Sequence, residues 1–357
     1  PEDLPDEASR GNQENFDRRY RNMLKLFQSI FGGGEEAGRY PESLIEAAIE
    51  RAVDGTDGRL RALSGYKKQL RPSVIHAIDH VVALVDAIPA PVEAVRTNYS
   101  TDPRLRALFA SVDHMLEVFG NGSVLDEFRK GSADSAGRVI ALLLAESMQK
   151  NILGNELVGD KVHRDVAQVV VNFSGHRLVE PTTNEADTRR QLKRRAFDHL
   201  LTLALSRIAE ARSSRTDLSR QRALLRSKLN TLEKSGWSFE TQEGERPDPD
   251  ALNAELQATE SELESLGADS GALQANLDIV ADVLGHAEQQ LWGGELVMHL
   301  DRMNIQRDTQ TASAQRIVLP DLHNVHGHHL VMLMVSLAPG ELPQREDFYP
   351  AAARYLN

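Results

Sequence analysis

Between Leu201 and Leu291 apolar positions recur at alternating steps of three and four on either side of a Gly/Pro-rich break. That spacing lines one seam of a paired helix. The outgoing row runs from Leu201 through Ile208, Leu218 and Leu225 to Leu232, and the returning row from Leu252 through Thr259, Leu266 and Leu277 to Leu291. A turn near residue 242 lets Leu232 face Leu252, Leu225 face Thr259, Leu218 face Leu266 and Ile208 face Leu277. The pattern predicts an antiparallel coiled-coil hairpin. At about 1.5 Å per residue, roughly 32 residues per arm reach about 48 Å, too far to be wrapped by a small domain.

Upstream the periodicity is also helical. Phe16, Tyr20, Met23, Leu24, Phe27, Ile30 and Phe31 share a face, with Arg18, Arg19, Arg21 and Lys25 elsewhere and Gly32-Gly33-Gly34 as the stop. This basic amphipathic helix suits packing on its own domain, docking on a partner or lying on a membrane surface. From Pro41 to Leu153 breaks at Asp54–Gly58, Ile88–Pro91 and Gly120–Gly122 separate short helices. Pro41 and Pro72 suit first turns there, and Asp57, Ser73, Asp102 and Ser123 suit N-caps. The apolar run Val139 to Ala145 reads as a buried helix within the same region.

The period then shortens toward two. Asp165 to Pro181, with a Ser174-Gly175 turn signal, reads as a β-hairpin; Glu295 to Arg307, Arg316 to Leu319 and Leu330 to Leu337 supply later strands, the last apolar enough to be central. The expected fold is α+β, mostly α. It comprises a polar tail over 1–15, a helical domain over 16–153, a small antiparallel sheet split between 154–186 and 292–357, and the coiled-coil arm over 187–291 inserted between its strands. A hairpin arm returns the chain to its origin, so the insertion leaves the sheet's connectivity intact.

Charge reinforces the pairing of the arm. Asp187 to Ser235 holds thirteen Lys or Arg against five acids, whereas Asp248 to Gln290 holds ten acids and no Lys or Arg. The basic stretch, with Arg212, Arg215, Arg220, Arg222, Arg226 and Lys228, invites phosphate, yet the acidic arm competes for the same cations. A net charge of −12 argues against general affinity for nucleic acid or anionic membranes. The absence of Cys removes disulfides, thiol catalysis and Cys-ligated zinc, and suits the cytoplasm. No apolar run reaches the roughly 18 residues that span a bilayer, and no charged-plus-apolar leader opens the chain.

Candidate chemistry is sparse. His323, His326, His328 and His329 follow Asp321 around Gly327, and a tight turn there can converge imidazoles on a transition metal, with Asp321 as ligand or outer acceptor. Strand alternation opposes this by sending neighbours to opposite faces. His176 and His299 lie on expected strands of the same sheet and are candidates to join the cluster. His76 and His80, one helical turn apart around Asp79, lack the Glu directly after the first His that a zinc-protease helix uses. Gly32-Gly33-Gly34 follows a helix and lacks the Lys and Ser/Thr of a P-loop, and no Gly-x-Ser-x-Gly elbow exists. Trp237 and Phe239, at the arm's tip, suit an anchor for a protein partner or a cap folded over the coil. The expectation is an interaction protein whose arm binds a protein partner or a second copy. A metal-dependent enzyme at the histidines and a nucleic-acid arm are the alternatives.

Overall fold

The computed structural model describes residues 40–120, 137–158, 161–234, 249–265, 271–308 and 314–342. The tail over 1–15, the helix expected over 16–31 with its glycine stop, Ser123, the arm's tip with Trp237 and Phe239, and the segment with Phe348, Tyr349 and Tyr355 lie outside them.

In chain order the elements are α1 (Glu42–Asp54), a 3-10 turn (Gly58–Ala62), α2 (Tyr66–Asp86), β1 (Val92–Glu93), α3 (Pro103–Leu108) and α4 (Val112–Gly120). The long strands β2 (Val139–Val158) and β3 (Lys161–Thr182) follow, then α5 (Glu185–Lys234), α6 (Pro249–Ser265), α7 (Ala272–Gly285) and α8 (Ala287–Gln290). Last come β4 (Leu291–Leu300), β5 (Gln315–Asn324), β6 (His329–Leu337) and a 3-10 turn at Pro339–Glu341. The architecture is mixed helix and strand around a largely antiparallel sheet. Its described residues fall into two compact units, 80–196 with 288–342, and 40–79 with 197–287.

The first unit is built on the sheet, in the order β3-β2-β6-β5-β4, with β1 parallel to β6 at Val92–Val335. Both faces of the middle are covered. Val139, Ala141, Leu143 and Ala145 of β2 and Val331, Leu333, Val335 and Leu337 of β6 point into a core shared with Leu105, Phe109, Met115 and Phe119 of the α3–α4 region. Leu142, Leu144, Met332 and Met334 point the other way, against Val85, Ile88 and Leu192. Here the run Val139–Ala145 is strand, not the expected helix. A strand buried on both sides loses its polar alternation and reads as an unbroken apolar run. Proline supplies a smaller correction, since α2 begins six residues before Pro72 and carries it inside the helix, where its missing N–H forfeits one backbone bond.

The hairpin expected within 165–181 is also corrected. β3 runs unbroken along β2, so Ser174-Gly175 marks a bulge rather than a turn. Three register shifts interrupt the ladder, and in each two residues of β3 oppose one of β2. Each contains a residue with positive φ: Asp165, Gly175 or Glu180. Turns and bulges demand the same left-handed backbone, so one glycine signal serves both.

β6 pairs β5 only at its start, from His323–His329 to Asp321–Val331. The β4–β5 hairpin pairs over ten residues, and isolated bridges Leu300–Gln306 and Val170–Ile305 tie its end to β3. Asp301 fixes that tie: its carboxylate accepts the N–H groups of Met303 and Ile305 and pairs with Arg307 at 2.9 Å. The outer strands are thus joined through the 301–307 turn.

The second unit is helical. Leu44, Ala48, Ile49, Ala52 and Val53 on α1, Leu70 and Val74 on α2, Leu201, Ala204 and Ile208 on α5, and Leu277, Val280 and Leu284 on α7 are buried. Asp57 is its ionic hub, accepting from Arg59, Arg212 and Asn276. The Arg59 guanidinium holds the Asp57 carboxyl down to about 2, against burial that pushes it up.

Farther along α5 the positions less open to water are Ala211, Arg215, Leu218, Ser219, Arg222, Leu225 and Leu229; on α6 they are Leu252, Leu256, Thr259, Glu260 and Leu263. Gln221 donates to Glu255 at 3.1 Å and Arg226 pairs with Glu260. Both contacts tie α5 to α6.

Candidate functional site

The chemistry-bearing end of the sheet is where β4, β5 and β6 stand side by side. Trp292 pairs with His323, and His323 with His329. Directly opposed residues share a face, so three rings form a row: Trp292 and His323 lie 5.7 Å apart at 7°, and His323 and His329 lie 5.7 Å apart at 16°. One rung inward is Asp321, only 7% exposed, whose Oδ2 lies 2.8 Å from His323 Nε2. A carboxylate only accepts, so Nε2 is the donor in this contact. Asp321 Oδ1 is buried with no hydrogen-bond partner among the described residues. It fits because the opposed residue is Gly294: a Cβ there would lie 2.6 Å from that oxygen.

Between β5 and β6 Asn324 closes the turn. Its Oδ1 accepts the N–H groups of His326 and His328, and Gly327 takes the positive φ of 77° that the turn needs. Of the four expected imidazoles, the fold therefore brings His323 and His329 together beside Asp321 and leaves His326 and His328 on the turn. Among the described residues no group of three His, Cys, Asp or Glu is placed to hold a metal ion.

The other histidines go elsewhere. His176 does not join the cluster: it sits in the central bulge, stacked on Phe109 at 4.9 Å with Nε2 2.7 Å from the Leu108 carbonyl. Burial pushes its pKa down from the ordinary 6.5, partly offset by that carbonyl. His114 meets it edge-on at 5.8 Å and accepts from the Ala110 N–H. His114 lies in an ordinary amphipathic helix, and no local signal in the sequence marks it. His299 is opposed to Arg316, and His80 Nε2 lies 2.6 Å from the Leu291 carbonyl.

The cations of α5 are largely taken by the protein itself. Arg189 donates to the Val85 and Ile88 carbonyls at the end of α2, Lys193 pairs with Asp86, Arg195 with Glu180, Arg207 with Asp282, Arg212 with Asp57 and Arg226 with Glu260. Phosphate binding would have to displace these partners. Among the described residues no helix is long and apolar enough to cross a membrane. Compared with known protein families, with curated proteins and with solved structures, the chain matches none.

Proposed function

We propose that this chain is an interaction protein that presents α5 and α6 as an antiparallel coiled-coil arm to a protein partner or to a second copy of itself. The observation that supports it is the burial pattern. Leu225, Leu252 and Thr259 are shielded while most neighbouring positions of both helices face water. A helix shielded on one narrow stripe is held by a single partner, and the rest of its surface is free for another protein. Basic residues of α5 opposite acids of α6 select partner and orientation more than they stabilise, because exposed pairs contribute about 0.2–1 kcal/mol each.

The test removes residues 219–262 and closes the gap with a short Gly/Ser turn. This shortens both helices equally about the proposed facing of Leu225 with Leu256, midway between the Gln221–Glu255 and Arg226–Glu260 contacts, and spares Arg212 with Asp57. The expected result is a shortened protein that melts like the parent but no longer recovers a partner from native extract. Unchanged recovery would overturn the proposal.

A further inference from the structure

β6 pairs with β2 only as far as Ala145, opposite Val331. From Glu146 to Val158, β2 continues with β3 on one side, and no described strand pairs with its other edge. A two-stranded ribbon is marginal in water without a third strand, and this one leaves Met148 60%, Leu153 71% and Val162 62% exposed. Proteins commonly blunt such an edge with bulges, charge or proline. Here all three bulges lie on β3, whose own edge is also occupied by 304–306 at Val169 and Val171. β2 presents an edge with no inserted residue.

We infer that this edge pairs with the same edge of a second copy, β2 against β2 in antiparallel, centred on Leu153. A two-fold axis through residue 153 opposes Leu153 to Leu153, Lys150 to Glu156, Met148 to Val158 and Asn151 to Asn155, with every pair except the central one occurring twice. Paired residues have the same parity, so each stays on its own face and the sheet continues across the axis. Neighbouring registers are poorer. Centring on Ile152 sets Met148 against Glu156 and leaves Lys150 facing Gly154. Centring on Asn151 opposes Glu146 to Glu156, two like charges. Charge complementarity and the exposed leucine at the axis together select both the occupant and the register. The ribbon becomes four-stranded, and the pairing does not depend on the arm.

The absence of cysteine makes the register testable in the full-length protein. Leu153→Cys, mildly oxidised, gives a disulfide-linked dimer, because the two residues at the axis are opposed. Met148→Cys does not, since its two copies stand about 33 Å apart at 3.3 Å per residue. Leu224→Cys, on the exposed side of α5, does not either. In sedimentation over a concentration series, Lys150→Glu weakens the dimer about tenfold, Glu156→Lys does the same, and the double variant recovers it. Circular dichroism of each variant confirms that the fold is kept. A protein that is monomeric throughout, a dimer indifferent to Lys150→Glu, a double variant that stays weakened, or cross-linking through Leu224→Cys in place of Leu153→Cys would each overturn the inference. Loss of partner recovery on shortening the arm, with this dimer intact, separates it from the coiled-coil proposal.

Discussion

The two halves of β2 share a strand and a partner yet live in different environments. Val139 to Ala145 lie between β3 and β6 and are covered on both faces, all apolar and, Ile140 apart, buried. Glu146 to Asn155 keep β3 but lose β6 and both covering layers, and their sequence turns polar with isolated apolar residues. The bulge of Gly175 and His176 opposite Ala145 falls at the junction. A bulge bends the strand and adds twist, so the outer half can leave the sheet's path. Burial is thus set by what stacks on the strand, not by the strand's own pairing. The largest test of that contrast is Leu143→Ala. Leu143 is 1% exposed within the larger core, and its truncation is expected to cost about 2–5 kcal/mol in denaturant unfolding.

The same contrast explains what the sequence disclosed. Periodicity reports one-sided burial, so the shielded positions of α5 and α6 and the strands near 296–300, 316–319 and 330–337 were legible, as was the central place of β6. The inner half of β2 was not, because two-sided burial erases alternation, and length and composition alone do not separate such a run from a buried helix. Ser174-Gly175 announced positive φ without saying whether the chain reverses or bulges. At the candidate site the crowding of histidines was visible, but only strand register decides that His323 meets His329 and Trp292. Gly294 carries no sign in sequence that it makes room for Asp321.

The junction itself gives the next effect. Gly175 has φ of 62°, and the nearest atoms a methyl there would meet belong to the Glu146 side chain at 3.5 Å, an ordinary contact. Gly175→Ala is therefore resisted by backbone conformation alone, and about 1–2 kcal/mol of destabilisation is expected. Hydrogen exchange should rise first at residues 172–178, beside the bulge. Exchange rising instead along the inner half of β2 would show that the two halves unfold as one.

A smaller effect follows from His176. Its pKa is lowered in the folded state, burial being the main cause, so the unfolded chain binds the proton more readily. The group's contribution to stability is complete above the unfolded value near 6.5 and is lost as pH falls through the lowered folded value. Melting temperature should decline from pH 7 toward pH 5. His176→Asn keeps a donor for the Leu108 carbonyl but cannot titrate, and should make that decline shallower. His114 meets the same ring edge-on, so His114→Asn is the companion variant. An unchanged slope in His176→Asn would remove this junction from the acid response.

The smallest effect lies at the far end of the ribbon, and its size is the point. Leu153 is 71% exposed, so in a dilute monomer Leu153→Ala should change stability by no more than about 0.5 kcal/mol, as surface substitutions do. The same leucine sits at the inferred two-fold axis, where a second copy would bury it. Association with the native form alone raises apparent stability with concentration, so the parent protein should melt at a higher temperature as it is concentrated. Leu153→Ala should flatten that dependence while matching the parent at the lowest concentration. Leu143→Ala should do the reverse, lowering the melting temperature at every concentration. If the two leucines gave parallel curves, the distinction between a half of β2 that holds the fold and a half that offers an edge would be lost.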